Sequence, residues 1–333
     1  MKKLLLLSVL IALLSCGSNN VSTFATEETA TKYANTITPL DLKKHLYIFA
    51  SAKFEGRKTG EPGQKKAAEY LKNFYIQHNI VSPYGGNDYY QAIPTEHLLP
   101  GLNPSENVVA YIEGSKKPEE IIVISAHYDH LGMNNDKIYF GADDDGSGNV
   151  AILEIAEAFQ KAVNDGNSPK RSMLFLHVTG EEKGLLGSKY YTNFPIFPLE
   201  NTVTNLNMDM IGRVDDKHIN NPNFVYLIGS DKLSTELHEL SEEINDKFTQ
   251  LDLDYSYNNE DDPNRYYYRS DHYNFAKNNI PIIFYFNGTH EDYHKTSDTP
   301  DKINYEVLAK RAKLVFYTAW EVANREKRVI VDK

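Results

Sequence analysis

Apolar positions along the chain alternate between short unbroken runs and longer stretches of helical spacing. The run Ile121-Ile122-Val123-Ile124 is β-branched throughout and stops at a histidine and a carboxylate, His127 and Asp129. That is how a strand buried on both faces reads. Runs at 172–178, 203–208 and 281–286 read the same way, with 224–228 as a further candidate. Residues 107–112 predict one more strand, expected to pair with 121–125 across the Glu113-Gly114-Ser115 turn. Between these runs the apolar residues recur every three or four positions. Examples are Leu40, Leu42, Leu46 and Phe49, then Ala67, Ala68, Leu71, Phe74 and Tyr75 after a break at 55–63, and Ile152, Ile155, Ala156, Phe159 and Val163. Such spacing gathers apolar side chains on one face of a helix. Helices are also expected over 233–248, 270–278 and 305–325, while 81–104 carries turn residues and scattered aromatics and reads as irregular.

Strand runs separated by helical ones predict an α/β class, a three-layer α/β/α fold around a mixed, mostly parallel sheet. The runs ending near residues 126, 178, 208 and 286 are each followed by His, Asp or Glu. Open α/β sheets bind ligands beyond the carboxyl ends of their strands, so the chemistry should converge on one rim. With no internal repeat and no long linker, residues 37–333 are expected to form a single domain.

Composition narrows the function class. A chain of 333 residues that is 41% hydrophobic can fill a large core. Its 46 acidic against 35 basic residues give a formal charge of −11, which argues against nucleic acid or an anionic membrane surface as the main partner. The sole cysteine is Cys16, so no intramolecular disulfide can form. Met1-Lys2-Lys3, the apolar run 4–14 and Leu13-Leu14-Ser15-Cys16 resemble a bacterial lipoprotein signal. The resemblance implies a signal peptide at 1–16, a lipid anchor on Cys16 and an extracytoplasmic location. Residues 17–36 are polar and read as a flexible tether.

Between Gly141 and Gly148 stand three consecutive carboxylates, Asp143, Asp144 and Asp145, directly ahead of the strongest helical pattern. Adjacent like charges repel, so keeping them together calls for solvent or a cation. With His127 and Asp129 nearby they read as half of a metal site, and imidazoles with carboxylates suit a zinc-like divalent ion. Residues 146–151 formally match a dinucleotide-binding G-x-G-x-x-A pattern, but the aspartates would repel a pyrophosphate at that helix N-terminus. Asp143 and Asp145 read as caps. His177 lies inside an apolar run and reads as a core histidine, whereas His130, His272 and His290 stand near the rim in supporting or structural roles.

Five separated motifs carry a family resemblance. They are His127-Tyr128-Asp129, the 141–148 segment, Gly180-Glu181-Glu182-Lys183-Gly184, Asn207-Met208-Asp209, and His294 within Tyr293-His294-Lys295-Thr296-Ser297-Asp298-Thr299. In this order they resemble the zinc aminopeptidases of peptidase family M28 and their relatives the glutaminyl cyclases. The resemblance implies that Asp144 bridges two zinc ions, one also held by Glu182 and His294 and the other by His127 and Asp209. It further implies Glu181 as general base, Asp129 as the carboxylate that orients His127, and a cis peptide between Asp144 and Asp145. Some members carry an oxyanion-stabilising tyrosine three residues before the Ser-Asp-His matched here by Ser270-Asp271-His272. That points to Tyr267, with Tyr266, Tyr267 and Tyr268 as plain pocket-wall aromatics the alternative. Residues 252–268 are expected either to arch over the pocket or to form a solvated surface loop. The implied activity is release of N-terminal residues from peptides with a free N-terminus. Two alternatives stand beside it: a one-zinc glutaminyl cyclase, and a binding lipoprotein without catalysis, which should have lost ligands or the base.

Overall fold

The computed structural model describes residues 27–333, so the expected signal peptide and Cys16 lie outside the described residues. Ten strands occur among them: β1 (Tyr90–Ile93), β2 (Ser105–Ile112), β3 (Lys117–His127), β4 (Gly132–Asn134), β5 (Lys137–Tyr139), β6 (Arg171–Val178), β7 (Thr202–Met208), β8 (Phe224–Ile228), β9 (Asp252–Asp254) and β10 (Ile282–Phe286). The helices are α1 (Glu27–Ala34), α2 (Pro39–Phe49), α3 (Pro62–Gln77), α4 (Gly148–Asn164), α5 (Leu186–Asn193), α6 (Thr235–Ile244), α7 (His272–Ala276) and α8 (Tyr305–Asn324).

Eight strands form one sheet in the order β1-β2-β6-β3-β7-β10-β8-β9, and β4 with β5 makes a separate hairpin. β6, β3, β7 and β10 run parallel, which makes a parallel centre. β2 is antiparallel to β6, and β8 to β10. Successive residues of β3 serve opposite faces, as strand geometry requires. Ile122 and Ile124 join the core built with α1, α2, α3, α4 and α8, whereas Ile121 and Val123 join the one built with α5 and α7. This is the expected three-layer α/β/α arrangement. All four parallel strands deliver their carboxyl ends to one rim.

Several local expectations change. β2 and β3 do not pair, because β6 lies between them, with Val109 opposite Leu176 and Val123 opposite Leu174. Every residue of β6 is buried, so it needs a neighbour on each edge. The 113–116 connection therefore crosses the start of β6. A Cβ on Gly114 would lie 2.6 Å from the main chain of Lys170 and Arg171, so only glycine fits there. Residues 27–34, expected to belong to the tether, are instead helical. α1 occupies 27–34 and buries Ala30, Tyr33 and Ala34, with the Tyr33 ring 5.7 Å from that of Trp320. Two of those three residues are alanines, so the hydrophobic signal in a polar stretch was faint. Leu40 is 61% exposed, outside the face formed by Leu42, Leu46 and Phe49. The stretch 81–104 holds the edge strand β1.

Candidate active site

The rim gathers the end of β3, the turn 141–147, the turn after β6, the end of β7 and the loop after β10. At its centre is the Asp144 carboxylate. Its Oδ1 lies 3.1 Å from His127 Nε2 and its Oδ2 3.1 Å from His294 Nε2. Asp209 Oδ1 stands 3.6 Å from the same nitrogen of His127, and Glu182 Oε2 3.4 Å from that of His294. One carboxylate is thus shared by two half-sites, His127 with Asp209 and His294 with Glu182. Asp144 Oδ2 and Glu182 Oε1 are buried without a hydrogen-bond partner. Buried polar atoms left unpaired are costly, and a cation between them removes that cost. Two imidazoles with three carboxylates are a donor set that zinc accepts.

Proximity also groups Asp145 with His127 and Asp209, and His130 with Asp144 and Glu182. Hydrogen bonding assigns Asp145 elsewhere. Its Oδ1 accepts from the main-chain N–H groups of Gly148 (2.9 Å) and Met210 (3.1 Å), so it caps α4 and ties down the end of β7. Burial pushes its pKa well above the usual carboxylate range, which disfavours the charge a ligand needs. Asp143 is structural in the same way, accepting from Gly212 N–H at 2.7 Å. His130 is closer to the chemistry than its expected supporting place: it is fully buried, with Nδ1 2.9 Å from Glu182 Oε1 and 3.7 Å from Asp144 Oδ2.

Charge explains what the protein does around these groups. Burial opposes the His127 imidazolium, yet the carboxylates of Asp209, Glu181 and Asp144 raise its pKa well above the ordinary value. For His294 burial again works downward, but Asp144 and Glu182 push it up to about 10. Imidazolium protons in the chain alone thus occupy positions where a divalent ion would compete with them. Glu181 lines the same pocket. Loss of surrounding water, with the carboxylates of Asp209, Asp271 and Glu182, pushes it well above its usual range despite the attraction of His127. A carboxyl group so placed can both take and return a proton.

The surrounding scaffold fixes these positions. Asp129 orients His127 through its main chain, with its carbonyl oxygen 3.1 Å from His127 Nδ1 and its carboxylate farther away at 3.8 Å. The carboxylate instead accepts from Thr59 Oγ1 (2.7 Å) and from the Glu181 N–H (3.1 Å), so it holds the main chain of the candidate base. Asn149 donates to the carbonyls of His127 (2.5 Å) and Asp145 (2.6 Å). Burial lowers the pKa of His177 to about 3, so it is neutral and backs Asn149 at 2.7 Å while meeting Tyr75 Oη at 2.6 Å. It is the satisfied core histidine its strand position implied.

The peptide between Asp144 and Asp145 is cis, as the resemblance implies. Asp298 accepts from the N–H groups of Asp143 and Asp144 on one side of this turn. On the other side, fully buried Arg57 donates to the carbonyls of Gly141 (2.7 Å), Phe140 (2.8 Å) and Tyr128 (3.0 Å). Sequence reading passed over Arg57, because it sits in the glycine-rich break between α2 and α3, where polar residues look like ordinary loop.

A pocket opens above the carboxylates. Met210, Phe284, Phe286 and Tyr266 form apolar wall, while Thr289, Tyr293 and Arg269 complete it. Tyr267, the expected oxyanion donor, is not among its lining residues. Its ring packs over Gly229, with Lys232 Nζ 5.3 Å from its centroid. Asp262 Oδ2 accepts from the Tyr266 N–H and helps fix the turn that sends Tyr266, not Tyr267, into the pocket. Tyr293 stacks on His294 at 3.9 Å, and burial together with Asp144, Asp209 and Glu182 keeps its phenol protonated. Of the segment 252–268 only Tyr266 lines the pocket, and residues 259–261 and 263–265 are exposed. It is mainly the surface loop of the two forms expected.

Residues 107–319 match the model of "Peptidase family M28". A probable leucine aminopeptidase of Arthroderma benhamiae is 31% identical over 300 residues, covering 81% of this chain and 79% of that protein. A vacuolar membrane protease of Verticillium alfalfae is 41% identical over 85 residues, 26% of this chain. The match spans only 8% of that protein's length. Among solved structures, the LapA aminopeptidase of Legionella pneumophila superposes with a TM-score of 0.71 at 22% identity, covering 98% of this chain and 81% of that one. A Porphyromonas gingivalis glutaminyl cyclase superposes at 0.64 with 17% identity, covering 85% and 98%. At those identities the two structures establish the fold.

Proposed function

The chain belongs to peptidase family M28, and from that premise we propose that it is a zinc aminopeptidase with two metal positions per chain, both using Asp144. The observation that carries this reading is the shared carboxylate, with His127 and Asp209 on one side and His294 and Glu182 on the other. Bound zinc would supply Lewis acidity, polarising a scissile carbonyl and acidifying a water.

The chain's own residues do the rest. Glu181 takes the proton of the attacking water and passes it to the departing amine, a double task that its raised pKa suits. The protonated phenol of Tyr293 donates to the carbonyl oxygen as negative charge develops there, the part first assigned to Tyr267. The carboxylates of the floor attract a free α-ammonium group, and the apolar wall of Met210, Phe284 and Phe286 receives the side chain of that first residue. An amine-selecting floor beside an apolar wall favours chain ends over internal bonds.

The test is release of free amino acid from leucyl peptides by the purified chain, abolished by chelation and restored by zinc. Conversion of glutaminyl peptides to pyroglutamyl peptides, with no bond cleaved, would contradict the aminopeptidase and support the cyclase instead.

A lipid on Cys16 would hold the enzyme on the outer side of a bacterial membrane, in the periplasm or at the cell surface. The motif around Cys16 supports this location. Cys16→Ser should move the protein from the membrane fraction to the soluble fraction. A variant that still sediments with membranes would remove the anchor.

A further inference from the structure

We propose that Arg269 is a specificity-determining residue that binds a substrate carboxylate on the leaving-group side of the scissile bond. The inference deepens the aminopeptidase reading and rests on it. The floor of the pocket carries Asp144, Glu181 and Asp209. Arg269 is the one lysine or arginine among the pocket-lining residues, and its side chain makes no ion pair within the described residues.

Its position is fixed from behind, unlike that of an ordinary surface arginine. The next residue, Ser270, accepts from Asn207 Nδ2 at 3.0 Å. Asp271 is fully buried and takes the hydroxyl of Ser188. His272, neutral because burial lowers its pKa to about 3, donates from Nε2 to the Tyr267 carbonyl at 2.8 Å. The chain therefore enters the rim at a set point, and the guanidinium lies over the Tyr266 ring, 5.0 Å from its centroid. Stacking orients the guanidinium while leaving its N–H donors available. Arg269 is exposed whereas Asp144 and His127 are buried, so its guanidinium stands toward the open side of the pocket. Once an N-terminal residue has its amine at the floor and its side chain against the wall, what remains near that opening is the peptide beyond the scissile bond. A guanidinium there recognises carboxylate by paired, charge-assisted hydrogen bonds. The carboxylate can be the C-terminus of a very short peptide or an acidic side chain after the cleaved bond.

The experiment compares kcat/KM of the full-length enzyme and Arg269→Gln on two matched pairs, leucylglycine against leucylglycinamide and leucylglutamate amide against leucylglutamine amide. Within each pair a general loss of activity cancels. A carboxylate-to-neutral ratio that falls about ten- to a hundredfold in the variant supports the inference. A fall in the first pair assigns the C-terminal carboxylate, and a fall in the second the acidic side chain. Cleavage of all four substrates with both ratios unmoved overturns the inference alone. Wild-type enzyme that cleaves none of them contradicts the peptidase reading, and the inference with it.

Discussion

Glu181→Gln lowers kcat on leucyl substrates by at least about a thousandfold, within the range of positioned proton transfer, while zinc content stays near the wild-type value. The two neighbouring glutamates are separable on structural grounds. Glu182 lies 3.4 Å from His294 Nε2 and 2.9 Å from His130 Nδ1, inside a half-site. Glu181 forms no such contact, and its main chain is held by Asp129 whatever its side chain becomes. Glutamine keeps the shape of the side chain and cannot accept a proton at neutral pH. Parallel measurement of kcat and of zinc by elemental analysis checks the expectation. Loss of zinc in step with activity would make Glu181 a ligand and leave the base unassigned.

Asp144→Asn has the opposite signature, with zinc and activity falling together. One uncharged carbonyl oxygen would replace two anionic oxygens that each face a different imidazole at 3.1 Å. The variant also loses a carboxylate that, despite its burial, the imidazoles of His130, His127 and His294 hold well below the usual carboxylate range. The remaining half-sites keep a single carboxylate each, Asp209 or Glu182. We expect fewer than one zinc per chain after dialysis against metal-free buffer, and kcat/KM reduced by three orders of magnitude or more, the scale of losing an activated water and a polarised carbonyl. Full zinc occupancy with intact activity would show that Asp144 is not shared, and would return the choice to the grouping of Asp145 with His127 and Asp209.

Four of the five candidate ligands were legible because each comes at or beyond the end of an apolar run, and strand order does not alter which end of a parallel strand faces the rim; Asp144, in the turn 141–147, was picked out by the family resemblance. His127 ends β3, Asp209 directly follows β7, and Glu182 lies in the turn after β6. Pairing was less legible. A short turn with glycine reads as a hairpin whether or not a third strand inserts, and only the complete burial of β6 decides it. α1 escaped notice because alanine contributes little to a hydrophobic pattern while packing well against Trp320 and its neighbours. Tyr267 was misplaced for a geometric reason: in the turn Tyr266–Tyr268 a shift of one residue reverses which ring enters the pocket. Arg57 and His130 act on groups 83 or more and 52 residues away respectively, the Phe140 and Gly141 carbonyls and the Glu182 carboxylate. No local pattern carries such contacts.

The most direct test of the shared carboxylate is zinc stoichiometry on the purified wild-type chain, reconstituted and then freed of loosely held metal. Two zinc ions per chain, with aminopeptidase activity rising as the sites fill, is the predicted result. One zinc per chain at full activity would contradict a two-metal centre, whichever half-site held the ion.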